Sequence, residues 1–279
     1  MGVLNATPDS FSDGGRFVHE RDALDLPAAV DAAAALVAGG AHVLDVGGES
    51  TRPGAEELPA GREIARTARV LETLAKRFDV PLSIDTRKAE VAEAALAAGA
   101  TLVNDISGLG FDPELARVAA GAGAELLLGH CQGTPETMQQ SPQYDDVLAE
   151  VGSELEASVQ RALAAGIPRD RLCVDPGIGF GKRLEHNLAL LANAGTLRTR
   201  LGLPLLVGPS RKSFLGTLTG DPPAARDVAS HAACAVAVFA GADAVRVHDA
   251  AGATRAAAVA LALRAARRAG ADPRRGSGP

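Results

Sequence analysis

The chain has 279 residues, of which 47% are hydrophobic, 22% are charged and 3% are aromatic, so its core must be built from Ala, Val, Leu and Ile rather than from rings. The net charge of −6 gives no overall attraction to nucleic acid or to an anionic membrane, although a local group of Arg and Lys can still bind phosphate. The 3 cysteines are far apart and outside any CxxC spacing, which argues against a disulfide framework and a structural zinc site.

The start of the chain and its most apolar stretch do not predict export or membrane insertion. Residues 1–10 lack a basic region followed by a long apolar run, which a signal peptide needs. Residues 232–240 are the most membrane-like stretch, but His231 and Asp243 bracket them and they fall short of the roughly 20 residues that a spanning helix needs. We therefore expect a cytoplasmic protein.

Short β-branched or Leu-rich runs recur along the chain, and each is followed by a polar residue or glycine and then by an Ala-rich stretch. The predicted strands are residues 2–4, 42–44, 82–84, 102–103, 125–128, 172–174, 205–207 and 244–245. The predicted helices include residues 26–38, 88–98 and 144–165, each followed by a glycine that can supply a left-handed cap. Alternating strands and helices form right-handed crossovers and a parallel sheet, and eight such units close into a (β/α)8 TIM barrel of the α/β class.

The composition shows no break that would predict a second domain, so we expect a single barrel domain over residues 1–270. Residues 271–279 end in RRGSGP. These six residues include no apolar side chain that could anchor them, so we expect a disordered tail.

In a TIM barrel the active site lies at the C-terminal ends of the strands, so the polar residues that follow the predicted strands are catalytic candidates. An Asp or Asn in this position is often only the N-cap of the next helix, and for Asp85 that alternative remains open. When polar residues follow nearly every strand of the barrel, however, most of them cannot be explained as helix N-caps. Arg246 and His248 are two residues apart and therefore point to the same side of the last strand, where a buried arginine needs an anion to offset its desolvation.

The polar strand ends lie within eight longer motifs. These are MGVLNATPDSFSDGG at 1–15, GAHVLDVGGESTRPGA at 40–55, SIDT at 83–86, VNDISG at 103–108, HCQGTPETMQ at 130–139, DPGIGFGK at 175–182, GPSRKSFLG at 208–216 and RVHDA at 246–250. In this order the motifs resemble the signatures of the dihydropteroate synthases. The resemblance covers essentially the whole predicted barrel.

The resemblance implies a transferase of folate biosynthesis. Such an enzyme condenses 6-hydroxymethyl-7,8-dihydropterin pyrophosphate with p-aminobenzoate, and it releases 7,8-dihydropteroate and pyrophosphate. The resemblance also implies Mg²⁺ as the cofactor and a homodimer that forms through helices of the outer shell. The implied partners are these small-molecule substrates, with neither nucleic acid nor membrane.

The resemblance further implies a role for individual residues. Those that bind the pterin would be Asp85, Asn104, Asp175, Phe180, Gly208 and Lys212. Those that bind the pyrophosphate would be Asn5, Arg246 and His248, and Asn5 would also bind Mg²⁺. Those of the p-aminobenzoate pocket and its loops would be Phe11, Thr51, Arg52, Pro53 and Ser210. The catalytic residues would be Asp85, Lys212, Arg246 and His248, because charge develops on both the pterin and the leaving pyrophosphate.

Several of these residues have a purely structural alternative. Asp175 precedes Pro176 in a glycine-rich turn and could be a plain turn residue. Phe180 could belong to the core. Lys212 could be a solvated lysine at a helix start, although the helix macrodipole disfavours a cation there.

Two rival functions and one departure from the family pattern also follow from the sequence. A methyltetrahydrofolate methyltransferase would share the Asp and Asn that hold a pterin, but it would not need the SRK and PDSFSDGG motifs. A paralogue without synthase activity would serve as a binding or assembly protein. Gly129 and Cys131 stand where the family usually has Met, which predicts a wider pterin pocket there. Cys131 is not expected to act as a nucleophile without a partner base.

Overall fold

The strands and helices of the chain follow the predicted alternation. The computed structural model describes residues 1–6, 18–19, 23–50, 54–55, 57–134 and 136–270. The strands are β1 (Gly2–Asn5), β2 (Val18–His19), β3 (Ala23–Leu24), β4 (Leu44–Gly47), β5 (Leu82–Asp85), β6 (Leu102–Asp105), β7 (Glu125–Gly129), β8 (Leu172–Asp175), β9 (Leu206–Val207) and β10 (Ala244–Val245). The helices are α1 (Leu26–Ala38), α2 (Ala60–Arg77), α3 (Ala89–Ala97), α4 (Glu114–Ala122), α5 (Val147–Ala164), α6 (Leu184–Ala192), α7 (Ala194–Leu201), α8 (Ser213–Thr219), α9 (Asp227–Ala240) and α10 (Ala250–Gly270).

The parallel strands close into a barrel. Six of them form a sheet in the order β1-β4-β5-β6-β7-β8, and β9 pairs with β10. Parallel bridges from Val174 to Leu205 and from Gly2 to Val247 join the two sheets at both edges. Within the described ranges, the predicted (β/α)8 TIM barrel is therefore confirmed. The remaining strands, β2 and β3, form a separate antiparallel pair.

The register of the barrel places the ends of neighbouring strands at one level. Asn5 pairs with Gly47, Gly47 with Asp85, and Asp85 with Asn104. Because side chains alternate between the two faces of a strand, residues at one level point to the same side. This row of polar residues therefore shares the inner face of the barrel.

Asp45 and Ser83 lie on the inner face just below that row, and the inside of the barrel is apolar towards the start of the strands. Leu102, Leu127 and Leu206 form one buried cluster, whereas Leu126 and Leu128 belong to the larger cluster shared with the helices. This split follows from the alternation along β7. The interior thus has an apolar floor and a polar mouth.

The second barrel strand differs from the prediction. It runs over Leu44–Gly47 rather than 42–44, because Val46 and Gly47 continue the ladder to both neighbouring strands. The predicted strand ended at Leu44, directly before Asp45. A buried carboxylate within a strand is costly without a partner. The structure supplies partners from distant strands, so Asp45 lies inside the strand and is fully buried.

The helix starts show which acidic residues act as caps. The amide of Ala89 at the start of α3 donates to Asp112 Oδ2 at 2.8 Å, so Asp112 rather than Asp85 caps this helix. Helix α1 has the predicted bounds. Helix α5 begins at Val147 instead of residue 144, because Asp146 is its N-cap and accepts the first amides.

Of the helices in the described part of the chain, none combines the length and the apolar character needed to cross a membrane. The tail predicted for residues 271–279 lies outside the described residues.

A buried ion cluster fixes the connections that follow β4 and β5. Lys88 Nζ donates to Glu49 Oε1 at 2.7 Å, to Glu63 Oε2 at 2.8 Å and to the carbonyl oxygen of Leu58 at 2.5 Å. The Lys88, Glu49 and Glu63 side chains are only 8%, 4% and 0% exposed. Burial raises the pKa of Glu63, and the hydrogen bond from Lys88 opposes that shift. Lys88 therefore compensates Glu63, and it shares Glu49 with Arg87, whose Nε lies 3.3 Å from Glu49 Oε2.

Replacing Lys88 by methionine is expected to lower the free energy of unfolding by about 3–5 kcal/mol, because it leaves the fully buried Glu63 carboxylate without its cation. Urea denaturation at neutral pH measures this change. The matched control is Lys76→Met, which removes an exposed pair with Glu72 (side chains 73% and 59% exposed) and should leave the urea midpoint unchanged. Equal midpoints for both variants would contradict a stabilising role of the cluster.

Candidate active site

Arg246, which follows β10, forms ion pairs with carboxylates of two adjacent strands, β4 and β5. Its Nε donates to Asp45 Oδ2 at 2.6 Å and its Nη2 to Asp85 Oδ2 at 2.6 Å. Asp45 Oδ2 also accepts from Asn104 Nδ2 at 3.0 Å. Burial lowers the pKa of the Arg246 guanidinium, but Asp45 and Asp85 raise it by more, so the net shift is upward. The guanidinium is therefore charged and held between two carboxylates.

Asp85 lies close to the end of the first strand. A Cβ built on Gly47 would lie 3.6 Å from Asn5 Oδ1 and 3.7 Å from Asp85 Oδ2, so both side chains reach the bare backbone of Gly47. Burial raises the pKa of Asp85 to about 7, although Arg246 acts in the opposite direction. This carboxyl group therefore changes charge within the physiological pH range.

Lys212 lies on the other side of the mouth, under an aromatic ring. Its Nζ is 3.7 Å from the ring centroid of Phe180. Burial, and to a lesser degree Arg246, lower the pKa of Lys212 to about 8, while Asp175 and Asp85 act in the opposite direction. The alternative of a solvated lysine is thus wrong. Phe180 is half-buried, with its ring on this ammonium group instead of in the core.

Asp175 and Gly208 complete this side of the mouth. Asp175 Oδ1 accepts from the amide of Gly177 at 2.8 Å, and burial raises the pKa of Asp175. A Cβ built on Gly208 would lie 3.9 Å from Asp175 Oδ2 and 3.8 Å from the Cβ of Arg246. Gly208 therefore leaves room between the carboxylate and the base of the arginine.

Ser210 and His248 form a pair at the rim. Ser210 Oγ lies 3.0 Å from His248 Nδ1 and also accepts the His248 amide at 3.2 Å. The serine thereby fixes the orientation of the imidazole ring, and its neighbour in sequence, Arg211, is held by Asp227 at 2.7 Å.

The structure brings most of the predicted site residues to one mouth. The connected or adjoining ones are Asn5, Asp85, Asn104, Asp175, Phe180, Gly208, Lys212 and Arg246, with Ser210 and His248 paired at the rim. Four further predicted residues lie outside the described residues, namely Phe11, Thr51, Arg52 and Pro53.

Sequence reasoning missed Asp45. This residue is fully buried and accepts from both Arg246 and Asn104, and its Oδ1 has no hydrogen-bond partner among the described residues. The available signal was a charged residue between two buried apolar neighbours, Leu44 and Val46, on the inner face of a strand. Such a charge demands an opposite partner in the barrel, and Arg246 was already predicted to point inward.

The departures from the family pattern at Gly129 and Cys131 create no extra chemistry. A Cβ built on Gly129 would lie 2.6 Å from the Cα of Ile106, so backbone fills the place where we predicted a wider pocket. Burial raises the pKa of the Cys131 thiol, and its Sγ lies 3.7 Å from Met138 Sδ. Cys131 is thus a protonated thiol, as expected for a residue that is not a nucleophile.

A cavity of about 760 Å³ lies at the opposite end of the barrel, where the strands begin. Its lining is mostly apolar and includes Met1, Leu102, Cys173, Leu206 and Ala244. None of the predicted site residues that the structure describes lines it. The carboxylates and cations described above therefore belong to a different surface from this cavity.

Comparisons with known proteins agree with the resemblance. Residues 1–248 match the sequence profile of a family described as "Pterin binding enzyme". The chain is 48% identical over 250 residues to the dihydropteroate synthase of Synechocystis sp., covering 89% of this chain and 84% of that one. It is 45% identical over 249 residues to that of Escherichia coli K12, covering 89% and 86%.

Solved structures are similar as well. The dihydropteroate synthase of Yersinia pestis with a sulfonamide drug superposes with a TM-score of 0.89 at 44% identity, covering 95% of this chain and 94% of that one. The Xanthomonas albilineans enzyme in complex with 7,8-dihydropteroate superposes with a TM-score of 0.81 at 40% identity, covering 95% and 93%. Both comparisons span the whole barrel.

Proposed function

This chain belongs to the pterin-binding enzyme family and acts as a dihydropteroate synthase, and from this premise we propose which of its residues carry out the reaction. The enzyme joins 6-hydroxymethyl-7,8-dihydropterin pyrophosphate to p-aminobenzoate. The C–O bond to pyrophosphate breaks with its electron pair, a C–N bond forms, and the amine nitrogen gives up a proton to solvent. The observation that carries the assignment of residues is the single mouth where Asp85, Arg246 and Lys212 meet.

The pterin ring binds deep in the mouth, against Asp175 and Asn104. A carboxylate facing a ring N–H and an exocyclic amine makes a charge-assisted pair that rejects rings without those donors. Asp175 is oriented by the Gly177 amide, and Asn104 by Asp45. Lys212 contacts the ring carbonyl, with Phe180 packed against both and Gly208 leaving room for the ring.

The diphosphate binds at the rim, to Asn5, Arg246 and His248. Arg246 and His248 project from one strand end, and β1 lies beside it through the bridge from Gly2 to Val247. Arg246 has two carboxylate partners that hold its guanidinium plane in place. Three donors from neighbouring strands therefore converge on one anion.

The main catalytic task is to stabilise the positive charge that develops on the pterin and the negative charge that develops on the leaving pyrophosphate. The pterin methylene carbon becomes cation-like as pyrophosphate leaves, and the Asp85 carboxylate stabilises that positive charge. Arg246 and His248 stabilise the negative charge on the leaving group, and Lys212 orients the ring. The enzyme forms no covalent intermediate.

Asn5 is the residue that would hold Mg²⁺. In the described ranges, no three or more His, Cys, Asp or Glu side chains are grouped so that they could hold a metal ion. Mg²⁺ is a hard ion that can take one protein oxygen, such as Asn5 Oδ1, and complete its shell with phosphate oxygens and water. When bound, the ion would offset charge on the pyrophosphate.

The second substrate, p-aminobenzoate, binds next to Ser210 and to the loop residues Phe11, Thr51, Arg52 and Pro53. Support for the loop residues comes from the sequence motifs, and support for Ser210 also comes from its contact with His248 at the rim. The Xanthomonas albilineans enzyme has been solved with 4-aminobenzoic acid, at 43% identity to this chain.

Pyrophosphate release by the purified protein tests this function. Release should require both substrates and should fall when EDTA removes Mg²⁺. Release that is independent of p-aminobenzoate would indicate a hydrolase, and no release would favour the paralogue without synthase activity. A methyltransferase would instead turn over methyltetrahydrofolate.

The functional unit is a cytoplasmic homodimer of one barrel domain, residues 1–270. Large apolar side chains are exposed on two helices that pack side by side, Val228 and Val236 of α9 and Val259 and Leu263 of α10. Such a patch suits an isologous contact with a second copy. Light scattering should give twice the chain mass of 28.3 kDa, and a single chain mass at micromolar concentration would contradict the dimer.

A further inference from the structure

The glycine-rich segment that follows β8, residues 176–182, lies directly on the loop that follows β7. A Cβ built on Gly177, whose φ is +69°, would overlap the carbonyl oxygen of His130, so only glycine permits this approach. A Cβ built on Gly181 would lie 2.5 Å from the carbonyl oxygen of Gln132. Side chains therefore do not separate the two loops at these points, and hydrogen bonds to the carbonyls of Gly179 and Phe180 also hold the segment.

Lys182, at the end of this segment, is only 3% exposed. Its Nζ donates to the carbonyl oxygen of Phe180 at 2.9 Å and lies 2.9 Å from His130 Nδ1. The other ring nitrogen, Nε2, lies 3.0 Å from Glu154 Oε2. Because an ionised carboxylate only accepts, Nε2 carries the proton and Nδ1 accepts from Lys182. A chain of hydrogen bonds thus runs from Glu154 through His130 and Lys182 to the backbone carbonyl of Phe180.

The charges of this chain are consistent with that order. Burial lowers the pKa of His130, and it lowers the pKa of Lys182 to about 7. The hydrogen bond from His130 lowers the pKa of Glu154, which therefore stays ionised. Lys182 is suited to donate hydrogen bonds rather than to bind an anion. None of the steps of the proposed reaction uses it.

Phe180 links this segment to the mouth. Its ring lies 3.7 Å from Lys212 Nζ, and a Cβ built on the preceding Gly179 would lie 3.0 Å from Lys212 Cδ. The Lys212 side chain therefore runs along the segment before it ends under the ring. Whatever orients the Phe180 backbone also sets the surroundings of Lys212.

We propose that Lys182, ordered by His130 and Glu154, is a positioning residue that holds Phe180 against the ammonium group of Lys212. The inference rests on the proposed function only in that Lys212 contacts the pterin. An aromatic face favours a nearby cation. Loss of the Lys182 hydrogen bond releases the ring, so Lys212 loses its proton more easily.

The direction in which the Lys212 pKa changes distinguishes a positioning role of Lys182 from the mere removal of its charge. The groups that face Lys212 are Asp85 on β5, Asp175 on β8, Arg246 after β10 and the Cys131 thiol after β7. Removing Lys182 also removes a nearby cation, and by Coulomb's law that change alone would raise the pKa of Lys212. A fall of that pKa therefore reports the loss of the ring.

Lysine NMR with 13Cε labelling measures this directly, because the chain has only four lysines, Lys76, Lys88, Lys182 and Lys212. In Lys182→Met, the titration midpoint of Lys212 should fall by about half a pKa unit. Phe180→Leu should give a fall at least as large, because it keeps the Lys182 charge, and adding Lys182→Met to Phe180→Leu should lower the midpoint no further. An unchanged or raised midpoint in Lys182→Met would overturn the proposal.

Two further variants keep the test sound. Tyr144→Phe removes a different hydrogen bond to the same segment, from Tyr144 Oη to the Gly181 carbonyl at 3.0 Å, and should leave the Lys212 midpoint unchanged. Glu154→Ala alters a half-exposed side chain. Without Glu154, nothing fixes the proton of His130 on Nε2, so Nδ1 no longer reliably accepts from Lys182. This variant should therefore lower the Lys212 titration midpoint even if Lys182→Met does not fold. Equal shifts in Tyr144→Phe and Glu154→Ala would indicate general loosening.

Activity gives a second readout. The kcat/KM for the pterin pyrophosphate should fall about tenfold in Lys182→Met, because a misplaced group near the reacting atoms costs rate. If the wild-type chain released no pyrophosphate, the proposed function would fail while the NMR titration still tested Lys182. If wild-type activity were present and the titration unchanged, only the role of Lys182 would fail.

Discussion

Asp85→Asn is expected to lower kcat by about 10²–10³-fold, because it removes a preorganised charge that stabilises the cation-like pterin. The affinity for the pterin should change little. Asparagine has the shape of aspartate, and its side-chain oxygen can still accept from Arg246, whose Nη2 lies 2.6 Å from Asp85 Oδ2 in the wild-type protein. Steady-state kinetics and equilibrium binding measure the two effects separately. An unchanged kcat would remove Asp85 from the mechanism.

The pH profile gives this prediction a second signature. Burial raises the pKa of Asp85 to about 7, so the active carboxylate forms as the pH rises through that value. Burial lowers the pKa of Lys212 to about 8, so the ammonium is lost above it. The kcat/KM of the wild type should therefore rise near pH 7 and fall near pH 8. Asp85→Asn should lose the acid limb and keep the alkaline one.

Asp112→Asn is the matched control for this variant. Asp112 performs the capping role that was the alternative for Asp85, since it accepts the first amide of α3. Its substitution should cost stability and leave both limbs of the pH profile in place. If the two variants behaved alike, Asp85 would have a structural role only.

Arg246→Ala should weaken binding of the pterin pyrophosphate by about 100-fold, since truncating one partner of a buried charge pair costs about 2–5 kcal/mol. Binding of the free pterin should change far less, because the arginine contacts the anion and not the ring. Isothermal titration calorimetry with both ligands measures the difference. Equal losses for the two ligands would contradict the assigned anion site.

The same substitution also leaves Asp45 and Asp85 facing each other without their cation. We expect the free energy of unfolding to fall by about 3–5 kcal/mol. Binding must therefore be measured under conditions of temperature and pH at which the variant is folded. Combining Arg246→Ala with Asp45→Asn should restore part of the stability and none of the anion affinity. Recovery of affinity in the double variant would mean that the loss came from a disturbed fold.

The sequence predicts the barrel and the level of its polar residues because both depend on local pattern. Alternating runs define strands, and the period of two places Arg246 and His248 on one side. It does not predict which polar residues become partners. The pair of Asp45 and Arg246 is 201 residues apart in sequence, and it exists only because ring closure makes the last strand a neighbour of the first.

The role of Lys182 was hidden for a related reason. In the sequence it is one basic residue at the end of a glycine-rich motif, and nothing local distinguishes it from a solvated lysine. Its burial and its contact with His130 arise from the packing of two loops that follow neighbouring strands. Likewise, Asp112 caps a helix that begins 23 residues before it, which no capping pattern in sequence can show.

A crystal structure of this chain with the pterin pyrophosphate bound tests the central claim most directly. We predict the pterin ring against Asp175, Asn104 and Lys212, with its diphosphate on Arg246 and His248 at the same mouth. A pterin in the apolar cavity at the opposite end of the barrel, or a diphosphate away from Arg246, would contradict the account.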